Sequence, residues 1–295
     1  MLPGRIRVHP RRHPRSSLFG FVVLLTCAPT PGASAQALAG YDFAAEPAAR
    51  WEMPKRLREI SGLAVSDDGR VFAHDDERAI VYELDARQGT VVKAFALADA
   101  GGKTLHGDFE GLAIAGGRFY LMTSDGVLYE SAEGRADEHV APTAYDTKLG
   151  ARCELEGLGA DPAAGVLLLA CKTPREPALA GQLTVFRWSL ATHALDRASP
   201  SIAVPLAEIA RAGGPPHAFS ASGIDRDPRT GNYVLAAARQ HALAEITPAG
   251  RVVSATRLPA ARHPQAEGLA FAPDGSLFVA DEGEVRGTVA VYRRK

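Results

Sequence analysis

The chain has 295 residues, of which 46% are hydrophobic, 7% aromatic and 23% charged; this is enough apolar material for a substantial core and excludes a disordered or collagen-like chain. Lys and Arg number 33 against 34 Asp and Glu, but five arginines and no acid fall in the first 35 residues, so residues 36–295 carry 28 against 34, a net of -6. A mildly acidic body offers nothing for nucleic acid or an anionic membrane to hold, and neither is expected as a partner.

The first segment is basic through Arg15, apolar from Leu18 to Leu25, and ends in Ala33-Ser34-Ala35 before Gln36. That order is the layout of a secretory signal and predicts cleavage after Ala35, with export to the periplasm or the medium. Lipid attachment at Cys27 is the competing reading, although Thr26 stands where lipoprotein processing prefers a small residue. No later run approaches the roughly 18 apolar residues of a spanning helix. Residues 36–295 are therefore expected to form one domain with no transmembrane segment.

Within that domain a short phrase recurs: Glu59-Ile60-Ser61-Gly62-Leu63, Asp108-Phe109-Glu110-Gly111-Leu112, Glu154-Leu155-Glu156-Gly157-Leu158, Ala221-Ser222-Gly223-Ile224 and Ala266-Glu267-Gly268-Leu269. The glycines are 49, 46, 66 and 45 residues apart, which are propeller-blade lengths with one insertion. Each phrase is followed by a Gly, Asp or Pro turn, as in Asp67-Asp68-Gly69 and Pro273-Asp274-Gly275, and then by two apolar strands, as in Val71 to His74 and Ile80 to Leu84. Five copies in the same order predict an all-β fold, a five-bladed β-propeller of four-stranded antiparallel blades. The last copy leaves room for three strands only, so the segment from Tyr41 to Met53 is expected to supply its outer strand and close the ring. The extra length of the third copy, Thr173 to Gln182 and Pro205 to Phe219, reads as loops with a helical turn at Pro205 to Arg211. Cys153 and Cys171 fall almost opposite each other on paired strands, which favours a disulfide; two buried free thiols are the alternative.

The residue before each motif glycine is expected at the mouth of the central channel: Ser61, Glu110, Glu156, Ser222 and Glu267. Three carboxylates brought together must protonate, be spread by water or bind a cation. Oxygen donors in loose geometry suit Ca²⁺, with Mg²⁺ or Mn²⁺ as substitutes, better than Zn²⁺. Glu59, Asp108 and Glu154 form an expected second layer, joined by the loop acids Asp75, Asp76, Asp125, Asp281 and Glu282; the same loops also carry Lys172 and Arg239 with Gln240, but acids dominate. The same carboxylates could instead brace the blades through backbone amides, with no metal. His106, His217 and His263 precede motifs and are the candidate bases, with His74 and His241 behind them.

On these phrases, Cys153 through Leu158 included, the chain resembles over about residues 45 to 295 the SdiA-regulated family of bacterial propellers, distantly related to NHL-repeat proteins. The resemblance implies a five-bladed propeller with a calcium site and no settled activity; the cleavable apolar segment departs from the membrane tether of some members. A more distant likeness to calcium-dependent lactonases and esterases on six-bladed propellers implies a metal that polarises an ester carbonyl, but the different blade count keeps residue roles from transferring. Two functions follow. One is an exported calcium-binding module presenting an acidic channel face to a ligand or an exported protein partner. The other is a calcium-dependent hydrolase of esters, lactones or phosphoesters, with the metal as Lewis acid.

Overall fold

The computed structural model describes Met1, Gly4 and residues 36–295; the expected signal, its cleavage boundary and Cys27 lie outside the described residues. From Gln36 onward the chain is one compact unit. It is a five-bladed β-propeller. β1 (Ala49–Glu52) precedes the first blade, which is β2 (Ile60–Val65), β3 (Val71–Asp75), β4 (Ile80–Leu84) and β5 (Val91–Leu97). The second blade is β6 (Phe109–Ala115), β7 (Arg118–Thr123) and β8 (Val127–Ser131). β9 (His139–Val140) then runs parallel to β5 of the blade before, and β10 (Thr143–Asp146) completes the second blade outside β8.

The third blade is β11 (Cys153–Asp161), β12 (Val166–Pro174) and β13 (Gln182–Ser189), with β14 (Ala194–Leu195) and β15 (Ser201–Pro205) both paired to β13. α1 (Leu206–Arg211) follows, at the helical turn read from the sequence. The fourth blade is β16 (Gly223–Arg226), β17 (Tyr233–Ala237), β18 (Ala242–Ile246) and β19 (Val252–Arg257). The fifth is β20 (Ala266–Phe271), β21 (Leu277–Asp281) and β22 (Thr288–Tyr292), and its outer strand is β1, paired antiparallel to β22 from Ala49↔Val291 to Glu52↔Thr288. The expected closure by the N-terminal segment is thus present. Part of the extra length in the third blade is absorbed by two nine-residue strands, β11 and β12, and by the doubled outer edge.

The ring is made by sheet faces packed on their neighbours. Five apolar clusters fill the five gaps: Phe72 with Phe119 between blades one and two, Met122 with Leu169 between two and three, and Leu235 with Leu168 between three and four. Leu243 with Leu277, and Phe278 with Leu63, fill the last two. Ahead of β1, residues 37–43 wrap the outside of blades four and five. The buried Glu245 carboxylate accepts the amides of Ala37 (2.8 Å) and Leu38 (3.1 Å), and the Tyr41 hydroxyl donates to Gly275 O (2.7 Å). Among the described residues no helix is long and apolar enough to cross a membrane. The Cys153–Cys171 disulfide is formed, with Cα atoms 5.8 Å apart, as suits an oxidising, exported compartment.

At the axis the motif glycines are required by contact. A Cβ on Gly111 would stand 2.5 Å from the Cβ of Leu158, and one on Gly223 would stand 2.7 Å from Glu267 O. On Gly268 it would meet Leu63 N at 3.2 Å, and on Gly62 it would meet Leu112 N at 3.1 Å. Each inner strand thus touches the backbone of the next, round the ring. Gly111→Ala is expected to force two blades apart and lower stability by about 1–3 kcal/mol, as overpacking does. Thermal unfolding checks it, and an unchanged Tm would show that the inner ring yields without strain.

Candidate functional site

The inner strands are not regular where the motifs lie. In β2 the register to β3 jumps from Ile60↔Asp75 to Gly62↔His74, leaving Ser61 without an opposite residue; Glu110 in β6 and Glu267 in β20 are skipped in the same way. In β11, Glu156 and Gly157 together oppose a single residue, and in the fourth blade both Ser222 and Gly223 face Ala236. A bulge re-aims the extra side chain out of the alternating pleat. Repeated in five blades, it sends Ser61, Glu110, Glu156, Ser222 and Glu267 to one end of the channel.

There the residues interact. Ser61 Oγ donates to Glu110 Oε2 (3.0 Å). The carboxyls of Glu156 and Glu267, 2% and 8% exposed, are close enough to perturb each other. Burial, then the adjacent Glu267, pushes Glu156 up to about 9; burial raises Glu267 as well. Burial, then the Glu156 charge, pushes Glu110 up to about 8. Lys172 at the end of β12 is the resident counter-charge, with Nζ 2.7 Å from Glu156 Oε2 and 3.9 Å from Glu154 Oε1. Burial pulls its ammonium down, but the Glu156 charge and the carboxyls around it more than offset that and leave it above its ordinary value. The disulfide fastens β11 to β12 beside these residues. Ser222 Oγ donates to Ala266 O (2.7 Å) and accepts from Ala238 N (3.1 Å), so it ties blades four and five together. Between Ser61, Glu110, Ser222 and Glu267 the channel leaves a void of about 10 Å³, room for one water or a bare ion.

The expected second layer divides. Glu59 pairs with Arg58 (2.6 Å), Glu154 with Lys172 and Arg175, and Asp108 accepts from Ser124 Oγ. Burial, then Glu59, holds Asp76 up to about 6, and burial likewise raises Glu282. Asp75 caps its loop through the amides of Glu77 and Arg78, and Asp125 accepts from Thr123 Oγ1. Asp281 is bound to His263 Nδ1 at 2.7 Å.

The histidines are placed as follows. His263 is fully buried, with Nδ1 on Asp281 and Nε2 on the Tyr292 hydroxyl (2.7 Å), so both nitrogens are engaged. His106 and His217 are exposed, outside the cavity described next. His74 is buried against Gly62 and neutral, its ring pushed down to about 4 by burial. His241 alone of the five borders the cavity beside the acids. That cavity, about 270 Å³, is lined by Glu156, Glu267, Lys172, Ser220, Arg239 and His241 among others. Lys172 and Arg239 lie at the face where they were expected, and Ser220 is a lining residue that was not expected there; its signal is a place two residues before Ser222, the position held in other blades by Glu59, Asp108 and Glu154.

The class so defined is a five-bladed propeller whose bulged inner strands gather carboxyls at one channel mouth, next to a small polar cavity. The fold is similar to a glutaminyl cyclase from Myxococcus xanthus, at 18% identity and a TM-score of 0.54, covering 84% of this chain and 95% of that one. It is also similar to the PQQ-bound aldose sugar dehydrogenase from Streptomyces coelicolor, at 14% identity and a TM-score of 0.53, covering 84% and 100%. At these identities the likeness is one of β-propeller fold. No protein-family model and no curated protein matches the chain.

The raised carboxyls give a pH dependence whose sign is fixed. Above the ordinary glutamate value of 4.5 the unfolded chain has released protons that Glu110 keeps to about 8 and Glu156 to about 9. The folded state therefore binds more protons across that window, and this contribution to stability, complete below pH 4.5, is lost as pH rises to 9. In chelator, the Tm of the parent is expected to fall more steeply between pH 5 and 9 than that of Glu110→Gln. Identical slopes would mean that the ring titrates normally.

Proposed function

We propose that this chain is an exported propeller related to the SdiA-regulated family, which binds a small ligand at the channel mouth beside a divalent cation, Ca²⁺ by donor type. The observation that carries the reading is the convergence of Glu110, Glu156 and Glu267 from three blades into a buried space where Lys172, 2.7 Å from Glu156, is the nearby positive charge. Such a set gains by exchanging its protons for a hard cation. Among the described residues no three His, Cys, Asp or Glu side chains are drawn in to metal-ligand geometry. The donor chemistry fits. The three glutamates would hold the ion with Ser61 contributing its hydroxyl, while Lys172, already between Glu156 and Glu154, can pass to Glu154. When bound, the ion would supply an oxygen-seeking positive charge at the edge of the cavity.

The test is thermal unfolding after chelation, with Ca²⁺, Mg²⁺ or Mn²⁺ restored. A ligand of the native state raises the midpoint by mass action. Ca²⁺ is expected to raise Tm in the parent, with release of protons at neutral pH as the acids deprotonate, and to leave a Glu110→Gln, Glu156→Gln double variant unmoved. If none of the three ions shifts the parent, the acids are a proton-linked brace and the cation reading falls.

His241 favours hydrolysis as a second reading. Its Nδ1 donates to His263 O (3.0 Å), since a carbonyl only accepts, which leaves Nε2 bare beside the cavity as a base toward water. Aryl esters and lactones are expected to turn over in the Ca²⁺-loaded protein and to stop in His241→Asn; equal rates in the two would exclude the imidazole from any turnover seen.

A further inference from the structure

The cavity beside the acid ring is not an acidic pocket. Its wall carries the Lys172 ammonium, the Arg239 guanidinium, the His241 imidazole and Ser220. Arg239 has no hydrogen bond or ion pair among the described residues, although it lies at an exposed loop where a carboxylate partner would be easy to supply. His241 is held with a φ of 44°, a left-handed conformation that a histidine adopts at some cost. That turn follows the short 3-10 segment Ala238–Gln240, which carries Arg239, and the ring is fixed by the Nδ1 bond to His263 O. The floor is Glu156 and Glu267, and Lys172 Nζ lies 2.7 Å from Glu156 Oε2.

We infer that this cavity seats the acidic group of a small organic anion, a carboxylate or a phosphate on a compact body. Arg239 is the forked donor, Lys172 the point charge, and the Ser220 hydroxyl a neutral donor. A planar guanidinium without an intramolecular partner is the group that bidentate recognition of either oxyanion uses. The volume of about 270 Å³ admits one ring or a short chain and excludes a polymer other than by its end. The inference deepens the ligand-binding reading of this cavity and rests on it, but not on the cation, because all three basic groups are the chain's own.

The probes are benzoate and phenylphosphonate, titrated calorimetrically into the full exported protein, once in chelator and once in Ca²⁺. At least one is expected to bind in chelator. Arg239→Gln should weaken it tenfold or more. Arg293→Gln, an exposed arginine paired with Asp274, should leave it unchanged. His241→Asn, chosen because Asn tolerates the left-handed turn, should weaken it measurably while the fold persists. Preference for benzoate identifies a carboxylate ligand and preference for phenylphosphonate a phosphate, and either supports the assignment. Binding in chelator together with no thermal response to any ion would retire the cation and keep the anion site. The inference is overturned if neither probe binds under either condition, if binding is unaffected by Arg239→Gln, or if it appears only in Ca²⁺ and so belongs to the ion.

Discussion

The structure depends on backbones that touch. Five inner strands can meet around one axis only if no side chain stands between them, and the motif glycines remove it: Gly111 lies against Leu158, Gly223 against Glu267, Gly268 against Leu63. Ordinary strands packed face to face keep about 10 Å between sheets. At the axis the spacing collapses to van der Waals contact of main chains, and the sheets splay from there like wedges, with the five apolar clusters filling the widening gaps. Everything outward of the glycines can vary in length, as blade three does, without disturbing the ring.

The same tightness produces the site. A strand that must bring a glycine flush with its neighbour cannot also hold perfect pairing on its other side, and the mismatch is taken up one residue earlier, as a bulge. The displaced residue has nowhere to go but the channel mouth. Whether it is Ser or Glu decides what the mouth is. Two serines give inter-blade ties, Ser61 to Glu110 and Ser222 to Ala266 O; three glutamates give charge that the fold must neutralise. The protein does so with protons and with Lys172, whose strand is fastened by Cys153–Cys171.

The fold was legible because its signal is periodic: five glycines, five turns and ten strands in fixed order outweigh any local ambiguity, and even β1 could be assigned from the strand that the last blade lacks. The convergence of Ser61, Glu110, Glu156, Ser222 and Glu267 was legible for the same reason. What surrounds them was not. The bulge that aims them is a pairing defect, invisible until both strands are laid side by side. The grouping of Lys172, Ser220, Arg239 and His241 joins a strand end of blade three to loops of blade four, and loop positions carry no period. His263 precedes a motif just as His106 does, yet one is sealed between Asp281 and Tyr292 and the other is exposed; burial of a loop residue is set by neighbours far away in sequence.

The pairing of β1 with β22 joins Ala49 to Val291, nearly the two ends of the described chain. A chain that emerges amino end first therefore carries β1 through almost its whole synthesis with no strand to pair with, and Glu245, which receives the amides of Ala37 and Leu38, also arrives late. Ring closure is a very long-range contact and, on loop-entropy grounds, among the last to form. Until residues 288–292 are free, the polypeptide stays an open, threadable string of blades. The architecture itself delays completion, which is a useful property in any chain that must pass through a narrow conduit before it folds.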